Sequence, residues 1–307
     1  MNHPLVYIII VNWNQKELTD ECLKSLSKVN YGSYKIVLVD NGSEDGSGEY
    51  LRKVHPEVKC IMNKENLGFS GGNNVGINYA ISKGCDYVYL LNNDTEVDPD
   101  FLSEIVEVVE NDPTIGIAGS TVFYYKPSDI IWYAGGHANW ISGDMVDPRV
   151  GQKLKTGKLE IEDVDEVAGA GMLIRSKSIE KVGVLNTKFF IYFEETDWCQ
   201  RVKKAGWRVV WAPKSKIWHK VSMAFGELSP VMIYLMTRNR WLFMRMHSPY
   251  FALFIIHYIL RSLKYFLRYW RKKQSNYKLA IYLGVKDALL NRYGKGELER
   301  LRKNNFQ

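Results

Sequence analysis

Cysteine is scarce in this chain of 307 residues, and the four present, Cys22, Cys60, Cys85 and Cys199, stand far apart. No pair has a metal-binding or bridging spacing, which argues against a zinc site and a disulfide framework and fits a reducing compartment. Long apolar runs are missing too. The longest, Tyr250 to Leu260 with His257 inside it, falls well short of the roughly 20 residues that a membrane span needs. No charged-then-apolar leader pattern is present, and a β-rich run starts within about five residues of Met1. The first strand-helix junction reads VNWNQKEL, without glycine, and no G-x-x-x-x-G-K-[ST] loop occurs. A sheet in this chain therefore binds its ligand in neither the dinucleotide nor the P-loop manner. No recognised nucleic-acid module is visible, which sets nucleic acid aside as a partner. The expectation is a cytoplasmic protein, able to rest on the inner face of a membrane rather than cross it.

What is present is ordinary globular composition, 24% charged and 46% hydrophobic, with a net charge of +7. The charge is uneven. From Phe225 onward lie 16 of the 41 Lys and Arg but only 4 of the 34 Asp and Glu, so this part carries +12 and the remainder −5. One part of the chain is built to meet an anionic surface.

Short apolar runs alternate with helical spacing through the first half. Strands are expected at Leu5–Val11, Lys35–Val39, Val58–Met62, Tyr87–Leu91 and Ile115–Ala118. Helices are expected at Lys16–Val29, Glu49–Val54, Val75–Ser82 and Pro99–Glu110, the last with Asp98 as N-cap. That alternation predicts a doubly wound α/β domain with mostly parallel pairing. Tyr124–Glu162 reads as β-rich loops able to shape an acceptor pocket. Val167–Arg175 reads as a strand and FFIYFEETDW, Phe189–Trp198, as the entry to a helix ending at Lys204. Two short strands, Trp207–Trp211 and Lys216–His219, are expected on either side of Pro213. After Ser229 the pattern is helical, at Pro230–Met246, Tyr250–Lys273 and Tyr277–Arg292. The division expected is a catalytic domain at 1–225 and a basic helical extension at 226–307.

On the middle helix of that extension, Arg261, Lys264, Arg268, Arg271 and Lys272 share one arc, while Ile256, Ile259, Leu263, Phe266, Leu267 and Trp270 fall opposite. Such a helix over 250–273 fits a membrane interface. The alternative is an amphipathic helix packed on the catalytic body with its basic face solvated.

Several residues carry candidate chemistry. Asp94 follows the Tyr87 strand at the edge where open α/β sheets bind ligands, and it lacks a structural task, so it is a candidate metal ligand. Asp40 ends the second strand, where it either meets a ligand or closes an Asx turn. Asn12, one strand over, either joins that pocket or caps its strand. Asn66, Gly68, Gly71 and Asn73 lie in a loop that permits close backbone approach or is simply flexible. The acidic run Glu194-Glu195-Thr196-Asp197 suits catalysis or plain helix-dipole chemistry. Arg238 and Arg240 either contact phosphate or lie on a helix surface.

IIIVNWN, VLVDNGSEDGS, NLGFSGGNN, LLNND and FEETDW occur in one order. Together they resemble family 2 of the glycosyltransferases, the inverting GT-A type. The similar subgroup is the rhamnosyltransferase-like and galactofuranosyltransferase-like enzymes of bacterial surface polysaccharides. The resemblance runs from about Leu5 to Val221. It implies a GT-A sheet and transfer from a UDP- or dTDP-sugar to a glycan or polyprenyl-diphosphate-linked acceptor, assisted by Mn²⁺ or Mg²⁺. It assigns Asp40 to the base imide, with Asn12, Asn66, Gly68, Asn73, Asn92 and Asn93 around the donor. Asp94 and His219 become the metal ligands and Glu195 the general base, with Glu194 or Asp197 as acidic neighbours or acceptor contacts. Asn92 stands where the family's D-x-D element has its first Asp, leaving one carboxylate for the metal. A nucleotide-sugar-binding module without turnover is the alternative.

Overall fold

The computed structural model describes residues 3–155, 157, 159–220 and 229–303. Its chain order is β1 (Val6–Asn12), α1 (Lys16–Leu26), β2 (Tyr34–Asp40), α2 (Ser47–Val54), β3 (Lys59–Met62), α3 (Gly68–Ser82), β4 (Tyr87–Asn92), β5 (Thr95–Val97), α4 (Phe101–Asn111) and β6 (Ile115–Tyr124). Then follow β7 (Ile131–Tyr133), β8 (His137–Asn139), β9 (Asp144–Val146), β10 (Glu162–Asp163), β11 (Gly171–Arg175), α5 (Ser176–Val182), α6 (Glu194–Lys204) and β12 (Arg208–His219). Helices α7 (Pro230–His247), α8 (Phe251–Arg271), α9 (Ser275–Leu289) and α10 (Leu298–Lys303) complete the described chain.

The main sheet runs β10-β12-β6-β11-β4-β1-β2-β3, with β5 beside β12 and β7 beside β6. Pairings among β1, β2, β3 and β4 are parallel, whereas β11 is antiparallel to both β4 and β6. The central strands are apolar at nearly every position because helices cover both faces. Even-numbered residues of β1 share one apolar cluster with residues of α1 and α4; odd-numbered ones share another with residues of α3 and α6. This is the mixed, mostly parallel α/β architecture expected.

Three local expectations need correction. The loop expected to hold Asn66, Gly68, Gly71 and Asn73 gives way to helix from Gly68, where α3 begins. Glycine and asparagine are weak helix formers, yet the sheet demands them: a Cβ on Gly72 would stand 2.9 Å from Val11 Cγ1. Asp98 does not cap α4. The helix starts at Phe101, and Asp98 Oδ1 accepts from Asp100 N at 3.0 Å in a turn before it. The two strands around Pro213 are one strand, β12, whose register on β6 slips between Ala212 and Lys216 and so accommodates the proline.

Helices α7 to α10 are not an independent appendage. Phe189 to Phe193 pack into two apolar clusters with residues of α7, α8 and α9, and Leu298 of α10 joins one of them. The expected boundary at 225/226 lies outside the described residues.

Helix α8 packs on the body with a solvated basic flank, but the apolar arc is not the side that faces the body. Its body-facing stripe is Phe254, Tyr258, Tyr265 and Tyr269, while Ile256, Leu260 and Trp270 point outward, each about 60% exposed (60%, 61% and 60%). Lys264, Arg268 and Arg271 are exposed along one flank, and Arg261 is bound bidentately by Asp144 at 2.8 and 2.9 Å.

Candidate functional site

Strand register brings the first part of the site together. Asn12 lies beside Asp40, and Asn92 beside Val11, at the carboxyl ends of β1, β2 and β4. A cleft of about 310 Å³ opens there, lined among others by Trp13, Asn41, Asn66, Gly68, Asn92, Asn93 and Asp94, with Phe190, Ile191 and Tyr192 on its far wall.

Asn12 is fully buried and does not face a ligand. Its amide donates to Asp40 Oδ1 at 2.8 Å and Ser47 Oγ at 2.9 Å, and its oxygen accepts from Thr19 Oγ1 at 2.8 Å. It therefore fixes Asp40 rather than touching a nucleotide. Asp40 Oδ1 also accepts from Ser43 Oγ, and Oδ2 accepts from Ser43 N at 3.1 Å, which is the turn geometry. Gly48 makes room for this carboxylate, since a Cβ there would lie 2.6 Å from Asp40 Cγ. Asn73 is buried too; its amide donates back to Phe69 O within α3, away from the cleft lining.

Asn41 was missed by sequence reasoning, although it follows Asp40 directly. Its side chain donates to Gly68 O at 3.0 Å and accepts from Asn63 Nδ2 at 3.0 Å and Leu67 N at 3.1 Å. It shapes the turn into α3. Gly68 has φ +74°, and a Cβ there would stand 2.5 Å from Phe190 O, so the close approach permits only glycine.

At the tip after β4, Asn93 donates to Gln15 Oε1 and Thr19 Oγ1, each at 2.9 Å, which ties it to α1. Asp94 Oδ1 lies 2.9 Å from His219 Nε2, and Asn92 Nδ2 lies 3.2 Å from the same nitrogen. His219 is buried at the end of β12 against the edge of Trp132, and its Nδ1 has no partner among the described residues. The tip and a strand 125 residues later thus form one cluster.

The acidic run has a different layout from the one expected. Asp197 is fully buried and occupied: Arg201 Nε at 2.8 Å binds one oxygen, and His247 Nε2 lies 2.8 Å from the other. It joins α6 to α7 and has no free edge for an acceptor. Glu194 is buried as well, and neither Glu194 Oε2 nor Glu195 Oε2 has a partner among the described residues. Burial, then the Glu195 charge, pushes the Glu194 carboxyl well above its ordinary range. Burial raises Glu195 also, against the pull of backbone N–H groups at the start of α6. Gly169 brings it close to the cleft: a Cβ there would stand 3.7 Å from Glu195 Cβ and 3.1 Å from the ring of Phe69, which lines the cleft.

A third carboxylate, Glu166, was not foreseen. Tyr133 OH and Thr196 Oγ1 both donate to it. Burial and the neighbouring Glu195 raise it from the 4.5 of a free glutamate to about 7. The folded state holds this proton more tightly than the unfolded chain does. Its contribution is therefore complete below pH 4.5 and is lost as pH rises through 7. Glu166→Gln should flatten that part of the profile. Thermal melts from pH 5 to 8 should show a smaller fall in midpoint for the variant than for the wild type.

Arg238 and Arg240 are neither surface residues nor open to phosphate. Arg238 is fully buried and donates to Gly294 O at 2.8 Å and Phe189 O at 3.2 Å. Arg240 donates to Gly143 O and to Asp144 Oδ1, each at 2.6 Å.

Comparisons with known proteins bear on the family and the fold. The N-acetylglucosaminyl-diphospho-decaprenol L-rhamnosyltransferase of Mycobacterium tuberculosis is 22% identical over 242 residues, covering 72% of this chain and 77% of that protein. The dTDP-rhamnosyl transferase RfbF of Shigella flexneri is 22% identical over 253 residues, covering 80% and 81%. An uncharacterized protein of Sinorhizobium fredii is 28% identical over 241 residues, but the chain spans only 25% of its length. Among solved structures, the mannosyltransferase PcManGT from Pyrobaculum calidifontis, in complex with GDP-Man and Mn²⁺, superimposes with a TM-score of 0.59 at 13% identity, over 95% of this chain and 88% of that one. That likeness shows the GT-A fold. The model of glycosyl transferase family 2 matches residues 7–183, and the chain belongs to that family.

Proposed function

We propose that this protein is an inverting glycosyltransferase that moves a sugar from a UDP- or dTDP-sugar to a hydroxyl of a polyprenyl-diphosphate-linked glycan at the inner face of the cell membrane. The observation that carries the reading is one cleft at the carboxyl ends of β1, β2 and β4, with Asp94 in its lining, His219 bonded to Asp94, and a base of raised proton affinity, Glu195, beside Gly169 and close to the cleft-lining Phe69.

The residues at the tip fit a divalent cation. His219 Nε2 stands between an amide donor on Asn92 and a carboxylate oxygen on Asp94, and it cannot satisfy both as a single donor or acceptor. With its proton on Nδ1, the imidazole and Asp94 present two lone-pair atoms to one point. Asp94 and His219 would hold the metal, and the donor's diphosphate would supply further oxygens. When bound, it would act as a Lewis acid for the departing diphosphate. An imidazole among oxygens favours Mn²⁺.

The chain's own residues do the rest. Asp40 Oδ2, with one backbone donor, keeps acceptor capacity for the imide N–H of a uracil or thymine. Asn41 and Gly68 hold the α3 turn against the nucleoside. Glu195 takes the proton of the acceptor hydroxyl as its oxygen attacks the anomeric carbon and the bond to diphosphate breaks. The outward apolar stripe of α8, with its basic flank, holds the enzyme beside a lipid-linked acceptor. Among the described residues no helix is long and apolar enough to cross a membrane, so α8 would lie in the interface.

A nucleotide panel tests this reading. UDP or dTDP with Mn²⁺ should raise the melting temperature, because ligand at a hundredfold excess over Kd adds about 2.7 kcal/mol. Asp94→Ala should lose the Mn²⁺-dependent part and keep the apo melting temperature. GDP stabilising better than both pyrimidine nucleotides would remove the assigned base, and no response to any nucleotide would remove the donor site.

A further inference from the structure

We infer that Asn239 is a positioning residue for the reaction, holding the Phe189–Phe193 segment in the left-handed conformation from which α6 and its acidic start emerge. The inference rests on the reading of Glu195 as base but has its own observations. Phe190, Tyr192 and Phe193 have φ of +68°, +72° and +74°. Bulky side chains avoid this region, and such residues persist only where their surroundings over-determine them. Here three occur within four residues, and the next two residues are Glu194 and Glu195.

What over-determines them is mostly one amide. Asn239 is fully buried in the middle of α7, a poor place for asparagine on propensity alone. Its Nδ2 donates to Phe189 O at 2.8 Å and to Ile191 O and Tyr192 O, each at 2.9 Å. Its Oδ1 accepts from Arg238 Nε at 3.0 Å, and Arg238 Nη2 also reaches Phe189 O. The remaining carbonyl, Phe190 O, accepts from Ser70 N at 3.1 Å on α3. Every carbonyl from 189 to 192 therefore has a donor, and the two hydrogens of the Asn239 amide are shared among three of them. Converging carbonyls repel one another unless a donor stands between them, and no other side chain among the described residues bonds Ile191 O or Tyr192 O. Since Phe190, Ile191 and Tyr192 also line the cleft, the clamp sets the start of α6 relative to the donor.

A purely structural role would lower stability and scale activity with the folded fraction. A positioning role predicts a split. Asn239→Ala, assayed well below its melting temperature, should lower kcat about a hundredfold, the scale of an ångström's misplacement. UDP or dTDP binding with Mn²⁺, held by Asp40 and the α3 turn, should stay within threefold. Asn239→Asp, of equal size, should show the same split. Ile105→Ala, buried on the far face of the sheet, is the destabilised control and should keep its kcat. Asn239 variants that lose kcat no more than this control, or that fail to fold where it folds, would overturn the assignment. Glu195→Gln in parallel keeps the two readings apart: full activity there removes the base while leaving the Asn239 split to stand or fall by itself.

Discussion

Glu195→Gln should lower sugar transfer by about 10²- to 10⁴-fold, the range that general-base catalysis contributes, while nucleotide binding and the melting temperature hold. Gln keeps the shape and removes the one function proposed, acceptance of the hydroxyl proton. The electrostatics sharpen the test, because two adjacent glutamates should respond differently. Glu194 is buried at the root of α6, and burial together with the Glu195 charge pushes it well above the ordinary carboxylate range, which favours its neutral form. Glu194→Gln imitates that neutral form and should cost less than about tenfold. Glu195 is raised by burial but is opposed by the backbone N–H groups at the helix start, which keep an ionised form within reach. Initial-rate assays of the two variants across pH 5 to 9, with donor and Mn²⁺ saturating, separate the roles. A Glu195→Gln rate equal to wild type would remove the base, and a large loss in Glu194→Gln alone would move the assignment one residue back.

Much of this site was legible in the chain because its parts lie at strand ends. Val6–Asn12, Tyr34–Asp40 and Tyr87–Asn92 are short apolar runs closed by polar residues, and the parallel register sets their last residues side by side. The pairing of Asp94 with His219 came from resemblance; nothing in the spacing of 125 residues announces it. Glu166 left no local signal. It is the second of two adjacent acidic residues in VDEVAG, and what makes it matter is Tyr133 and Thr196, 33 and 30 residues away. Asn239 was hidden differently, between two arginines whose charge drew attention to phosphate. Both arginines proved to be buried fasteners, and the neutral residue between them touches the segment that leads into α6. Propensity misled at α3, where the glycines that argue for a loop are what lets a helix press against β1.

Replacing Ile256, Leu260 and Leu263 together with Asp should abolish flotation with liposomes and leave folding intact. These side chains are 60%, 61% and 52% exposed, so they contribute little to the core, and surface substitutions seldom move stability by much. An interface buries what water now meets. At roughly 1.5 kcal/mol per apolar side chain, three losses amount to about 4.5 kcal/mol, or about three decades in partitioning, before the cost of submerging carboxylates. The flank bearing Lys264, Arg268 and Arg271 adds about 1 kcal/mol per cation near an anionic leaflet. Wild-type flotation should therefore weaken with salt and with neutral vesicles, whereas the Asp variant should fail on both. Transfer to a short soluble acceptor should survive the substitution, because α8 meets the catalytic segment through Phe254 and Tyr258 on its opposite face. Transfer to a lipid-linked acceptor in vesicles should fall with the lost flotation. A wild type that does not float and sediments as a dimer, with the Asp variant a monomer, would make this stripe a subunit interface and overturn the membrane reading. The arrangement of charge argues the other way: a basic flank beside the same stripe on a twofold-related copy would bring like charges together, while an anionic bilayer neutralises them.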